Sequence, residues 1–138
     1  MRNYEYGKSS LQNIGSVSIT LQTLCYKALE IANRRKLHCP DFGISCGKRT
    51  RMEQIIMFKE GKSKCDGINT ISAHQYGFAI DYYAYVDGVA NYDPGNLALI
   101  ATCFQEAAFN MGIVIKWGGN FASIADCPHI ELVSRKHT

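Results

Sequence analysis

Four histidines occur in 138 residues, and two of them, His74 and His129, stand beside acidic residues in segments rich in turn signals. His74 belongs to Ser72-Ala73-His74-Gln75-Tyr76-Gly77-Phe78-Ala79-Ile80-Asp81. His129 belongs to Asp126-Cys127-Pro128-His129-Ile130-Glu131-Leu132, which follows Trp117-Gly118-Gly119-Asn120-Phe121 by a short interval. A catalytic Zn²⁺ site takes three ligands from His and carboxylate and keeps a fourth position for water. His74, Asp81 and His129 satisfy that count. A ligand just before a strand and another on its inward face can converge, with Gly77 letting the backbone pass close to the ion. Asp126 lies three residues before His129, a spacing that puts side chains on opposite faces of a straight strand, so convergence requires a bend at Pro128. A carboxylate near the ion but not bound to it can take a proton from water and pass it to a leaving amine. Neither spacing is diagnostic alone, and His38 and His137, without such company, are expected at the surface.

The elements that must position these groups can be read from periodicity. Leu21, Leu24, Cys25, Ala28, Leu29 and Ala32 recur at helical spacing, with Thr20 as the expected N-cap and Arg34-Arg35-Lys36 at the C-terminal end. Asp41 to Cys46 alternates like a short strand, and a second helix is expected from about Arg51, carrying Ile55, Ile56 and Phe58 and ending near Gly61. Lys62 to Ser72 is polar and irregular. Phe78 to Tyr85 suits a strand, Asp87-Gly88 a two-residue hairpin turn, and Val89 to Tyr92 its partner. Asp93-Pro94-Gly95 opens a third helix with an apolar face from Leu97 to Met111 and a stop at Gly112. Ile113 to Trp117 and His129 to Val133 complete the strands, with Trp117 expected in the core. The order predicts one α+β domain over residues 1–138 with a small, mainly antiparallel sheet and flanking helices.

Composition narrows the classes. With 46% hydrophobic and 20% charged residues the chain has material for a core and lies far from the signature of disorder. A formal charge of +3 is too small to make nucleic acid the expected partner. The longest uncharged stretch, Ser9 to Tyr26, is studded with Ser10, Gln12, Asn13 and Ser16, so no membrane span and no stable membrane association are expected. The first residues carry no apolar run of the kind an export signal needs, and six cysteines in such a chain are expected to be mostly reduced, buried small hydrophobes. Lys48 to Lys64 holds six cationic against two acidic side chains, either a solvated helix face or an attraction toward anionic polymers.

Taken together, Ser72-x-His74-x-x-Gly77-x-Ala79-x-Asp81, Trp117-Gly118-Gly119 and Asp126-x-Pro128-His129-x-Glu131-Leu132 resemble the VanY-like M15 zinc peptidases, which include D,D-carboxypeptidases and L-alanyl-D-glutamate peptidases. Upstream, Asp41-Phe42-x-Ile44-Ser45-x-Gly47-x-Arg49-Thr50, Glu53-Gln54 and Gly61-x-Ser63 are similar to another segment of that family, so the resemblance spans roughly residues 20 to 133 in the expected order. Asp before the second His makes it most similar to phage endolysins that cut the L-Ala–D-Glu bond of peptidoglycan stem peptides, causing wall lysis.

The resemblance implies a hedgehog/D,D-peptidase-like fold, one Zn²⁺ held by His74, Asp81 and His129, and Asp126 as general base and acid. Arg49 would stabilise the oxyanion or hold a substrate carboxylate, a role its fork of donors suits. Ser72 would support the first ligand or contact substrate, and Glu131 either orients His129 or faces solvent. A monomer is expected, waiting in the host cytoplasm for a separate membrane-permeabilising protein. Phe78 and Phe121 depart from the pattern of relatives, and Cys127, between base and ligand, could compete for zinc. Other readings stay open: a D-Ala-D-Ala carboxypeptidase or dipeptidase, for which Glu in place of Asp126 is usual; a non-catalytic, hedgehog-like zinc module; and a structural zinc site from Cys39, Cys46, Cys65 and His38.

Overall fold

The computed structural model describes residues 2–118 and 128–133. Two helices open the chain, α1 (Lys8–Gly15) and α2 (Ile19–Arg34), followed by β1 (Asp41–Cys46), α3 (Arg51–Lys59) and the one-turn α4 (Ala73–Tyr76). Next come the hairpin β2 (Ala79–Val86) and β3 (Val89–Asn91), the long α5 (Pro94–Met111), β4 (Ile115–Trp117) and β5 (His129–Leu132). All pairings are antiparallel: the sheet runs β1-β2-β5-β4, and β3 continues along β2 beyond the end of β5. The α+β expectation with a small antiparallel sheet is met.

Alternation along β2 decides what goes where. Ile80, Tyr82 and Ala84 point to one face and are fully buried, whereas Asp81, Tyr83 and Tyr85 point to the other. On the buried face, Phe42, Ile44 and Ile130 of the neighbouring strands join Leu21, Leu24 and Ala28 of α2 and Ile100, Phe104 and Ala107 of α5. Phe104 sits between Phe42 and Tyr82 with ring centroids 5.6 Å away in each case, and the Tyr82 hydroxyl donates to the Leu97 carbonyl at 2.8 Å. Truncating so central a ring to Ala costs about 3–5 kcal/mol. Both helices therefore cover one side of the sheet, which leaves the other side available for chemistry.

Sequence periodicity misses α1 because its residues are largely polar. Two of those polar groups serve the sheet edge: Ser10 Oγ accepts from the Ile44 N–H at 3.0 Å, and Asn13 Nδ2 donates to the Ile44 carbonyl at 2.7 Å. An exposed edge strand is thereby closed without another strand. Helix α2 begins two residues before the expected position, and its cap is Ser18, whose Oγ accepts from Leu21 N at 3.3 Å, rather than Thr20. Helix α3 begins where expected behind a Thr50–Glu53 capping box. Its apolar residues are not what it buries: Ile56 and Phe58 are exposed, and the fully buried side chain is Gln54. Trp117, expected in the core, is half-buried and packs against its border. Cys25, Cys39 and Cys103 are buried free thiols, as composition suggests, with the Cys39 and Cys103 sulfurs 3.6 Å apart.

Candidate active site

Three elements deliver the candidate ligands to the open face. His74 lies on α4, whose single turn is closed at one end by a Ser72–Gln75 capping box and at the other by Gly77 in the left-handed region at φ 77°. Gly77 thus answers to the turn; a Cβ there would meet the Val17 backbone at an ordinary 3.6 Å, so the expected close approach to an ion is not its reason for being glycine. Asp81 is the third residue of β2, and His129 faces it across the β2–β5 ladder. Opposite Asp81 on the other flank is Cys46, brought there by a bulge between Ile44 and Cys46.

Asp81 is the centre of the cluster. Its Oδ1 lies 3.1 Å from His74 Nε2 and 3.1 Å from His129 Nδ1, and the two imidazole centroids are 5.0 Å apart. Its Oδ2 is 3.8 Å from the Arg49 guanidinium. On the far side of the first ring, His74 Nδ1 donates to the Gly47 carbonyl at 2.8 Å. That bond fixes a proton on Nδ1 and leaves the Nε2 lone pair aimed at a carboxylate oxygen, an arrangement that requires a cation between them. His129 is bracketed likewise, with Nε2 2.9 Å from Glu131 Oε1, so Glu131 orients the ring rather than facing away from it.

Without a metal the cation is a proton. Burial alone would lower the His74 pKa, but hydrogen bonds to Asp81 and Cys46 overcome it and raise the ring to about 10. Burial would likewise raise Asp81, yet the hydrogen bonds from His129 and His74 hold its carboxyl at about 2. A tetrahedral ion with bonds of about 2.0–2.1 Å places neighbouring donor atoms about 3.3 Å apart, close to the 3.1 Å separations found here. Each nitrogen pairs with the carboxylate oxygen at a separation that suits Zn²⁺, whereas the described donor atoms that all lie within 4.8 Å of one another are those of Cys46, His74 and Asp81, and His129 is not among them.

Cys46 is the residue that sequence reading placed elsewhere. Its Sγ lies 3.8 Å from His74 Nδ1, and a donor atom from each of Cys46, His74 and Asp81 falls within 4.8 Å of the other two. The chain thus contains a possible metal-binding triad of these residues. Only the bulge in β1 turns Cys46 this way, and nothing in its spacing announces a bulge. The alternative cluster of Cys39, Cys46, Cys65 and His38 does not assemble among the described residues, since Cys39 faces Cys103 instead.

Arg49 reaches the site from the β1–α3 connection and is 9% exposed. Its backbone N–H donates to the His74 carbonyl at 2.9 Å, Nη1 donates to Gln54 Oε1 at 2.6 Å, and Nη2 faces Cys46 Sγ at 3.6 Å. The exposed lysines of Lys48–Lys64 behave differently from this buried cation. The Ser72 hydroxyl accepts from Gln75 N at 3.3 Å and donates to Gln54 Oε1 at 2.9 Å, so it is committed in both directions. Gly118 follows β4 and leaves room for the second ring: a Cβ there would stand 3.3 Å from His129 Cδ2. Phe78 is partly exposed and stacks on Tyr76 at 5.8 Å. Asp126, Cys127, Gly119, Phe121 and His137 lie outside the described residues.

Comparison with known proteins agrees with this geometry. A family described as phage L-alanyl-D-glutamate peptidase matches residues 2–133. The L-alanyl-D-glutamate peptidase of Escherichia phage T5 is 26% identical over 125 residues, covering 90% of this chain and 86% of that protein. The crystal structure of the Serratia marcescens L-Ala D-Glu endopeptidase ChiX superposes with a TM-score of 0.76 at 27% identity, covering 95% of this chain and 92% of the other. The chain belongs to the phage L-alanyl-D-glutamate peptidase family and is, as a member, a hydrolase of the peptidase class.

Proposed function

We propose that this protein is a zinc endopeptidase that cleaves the L-alanyl–D-glutamate bond of peptidoglycan stem peptides and serves as a phage endolysin. The convergence of His74 and His129 on one oxygen of Asp81, with Arg49 beside it, carries this reading. His74, Asp81 and His129 would hold the ion, which when bound supplies an acidified water and polarises the scissile carbonyl. Asp126, three residues before His129 in sequence, takes the proton from the attacking water and gives it to the departing amine. Arg49 donates to the carbonyl oxygen as negative charge grows there, a buried and preoriented guanidinium being far more effective than a solvated one. Ser72 acts by holding the helix that carries His74, since its one donor is given to Gln54 Oε1 and it accepts the Gln75 N–H that closes the cap.

The two relatives named above carry this same bond in their names, which favours it over the terminal D-Ala-D-Ala linkage. No helix of the described residues is long and apolar enough to cross a membrane. Release from the host cytoplasm would then depend on a separate permeabilising protein, with the enzyme acting as a monomer on the wall. The deciding experiment measures zinc content and peptidoglycan hydrolysis of the wild type beside Asp126→Ala, reading the fragments by mass spectrometry. Retained zinc, lost activity and fragments parted between alanine and glutamate are expected. Zinc without hydrolysis by either protein would favour a recognition module, and loss of a terminal alanine would favour a carboxypeptidase.

A further inference from the structure

The least expected side chain in the interior is Gln54. It is fully buried on a helix whose Ile56 and Phe58 are left exposed, so hydrophobic burial does not explain its place. A buried primary amide is tolerated when its donors and acceptor are used. Here Oε1 accepts from Arg49 Nη1 at 2.6 Å and from Ser72 Oγ at 2.9 Å. Nε2 donates to Ser63 Oγ at 2.8 Å and to the Cys65 carbonyl at 2.7 Å. The Cβ and Cγ of the same side chain press on Gly67, where an added Cβ would stand 3.2 Å from each. The amide therefore ties the polar Lys62–Ser72 segment to two groups of the site at once.

Resting on the role given above to Arg49, we infer that Gln54 is a positioning residue of the peptidase, which aims the Arg49 guanidinium at the reacting carbonyl. Arg49 has a long, flexible side chain, and its contact with Asp81 is a loose 3.8 Å. The 2.6 Å bond to Gln54 is the shortest restraint on its fork. The other hydrogen bond on that acceptor, from Ser72, links the same oxygen to the cap of the helix bearing His74. One atom thus sets the spacing between the oxyanion partner and the first ligand. Metal binding should survive its loss, because His74 keeps its own bonds to Gly47 and, through its carbonyl, to the Arg49 backbone.

The test uses zinc-loaded full-length protein and a purified muropeptide containing the L-Ala–D-Glu bond. Gln54→Met keeps the length of the side chain but removes the acceptor, and kcat should fall about ten- to a hundredfold with KM changed less than threefold and zinc stoichiometry kept. Gln54→Glu restores an acceptor for Arg49 while losing the donors to Ser63 and Cys65. It should melt earlier than wild type yet recover most of the kcat lost by Gln54→Met. A purely structural Gln54 would give the opposite pattern, with activity following stability. In an Arg49→Ala background, Gln54→Met should add no further loss of kcat, because both act through one group. The Arg49 guanidinium protons give a readout independent of turnover: resolved by NMR in the wild type, averaged by rotation in Gln54→Met. Multiplying losses, or a folded Gln54→Met with wild-type kcat beside an impaired Arg49→Ala, overturns the positioning role alone. A fully active Arg49→Ala overturns it together with the role of Arg49.

Discussion

The site has two unequal halves. His74 comes from a capped turn, has 5% of its side chain exposed, and is held at Nδ1 by a backbone carbonyl and at its own carbonyl by Arg49. His129 comes from a short strand, is 25% exposed, and is held by two carboxylates. Asp81 joins them. The difference is one of preorganisation: the α4 side is built to its geometry by bonds that no ion supplies, whereas the β5 side depends more on the charge placed between its ring and Asp81.

The strongest way to break the comparison is to remove what both halves share. Asp81→Asn keeps the shape but removes the carboxylate, so zinc affinity should drop by about a thousandfold or more and activity with it, since charge and donor are lost together. Metal titration of the purified variant against a chromophoric chelator measures this. Because the buried His74 would then lose its counter-charge, the metal-free variant should also melt below the metal-free wild type. Near-normal zinc binding by Asp81→Asn would remove Asp81 from the ligand set and point to Cys46 in its stead.

A smaller effect separates the halves by pH. In the metal-free protein the raised His74 pKa means that stabilisation by its protonated form is fully present below the unfolded value of 6.5 and is lost as pH rises through about 10. The metal-free protein should therefore lose melting temperature between pH 7 and 10. Zinc uptake must displace that proton, so near neutral pH it should release about one proton from His74, with affinity falling about tenfold per pH unit on acidification. Calorimetry in buffers of different ionisation enthalpy counts the protons. Uptake with no proton release would mean that His74 is already neutral, contrary to the lone-pair argument at Nε2.

How much of this was legible before folding follows the same division. The candidates His74, Asp81 and His129 stood out because turn signals and acidic neighbours set them apart, but Asp81 was expected on the inward face of its strand and lies on the face opposite the buried Ile80 and Tyr82. The five strands and the helices α2, α3 and α5 were readable from period 2 and period 3.6 patterns, whereas the polar α1 and the one-turn α4 were not. What could not be read depends on contacts between distant segments. Cys46 enters through a bulge, Ser10 and Asn13 through pairing with a strand 31 to 34 residues away, and Gln54 through a network closed by Arg49, Ser63 and Ser72. A polar residue on a helix face reads as exposed unless its partners are already known, which is why Ile55, Ile56 and Phe58 of α3 stood out in the sequence and the buried Gln54 did not.

The mildest test addresses the weaker half through Gly118. Its backbone is not in the left-handed region, so Gly118→Ala introduces no strain in φ, and loss of chain entropy in the unfolded state favours the variant by about 0.4–1 kcal/mol. Among the described residues the nearest atoms to the added methyl are those of His129, whose Cδ2 would lie 3.3 Å from it and must yield by a few tenths of an ångström. Such a shift tilts the ring between Asp81 and Glu131, while the His74 bonds to Gly47 and Arg49 are left in place. The expected result is a melting temperature equal to or above wild type in the metal-free state, with zinc affinity lowered about three- to tenfold. If His129 were as rigidly held as His74, stability would fall as well, because the ring could not give way; if it is positioned chiefly by the charges around it, only metal binding pays attention to the methyl. Melting curves and zinc titrations on the same samples distinguish the two.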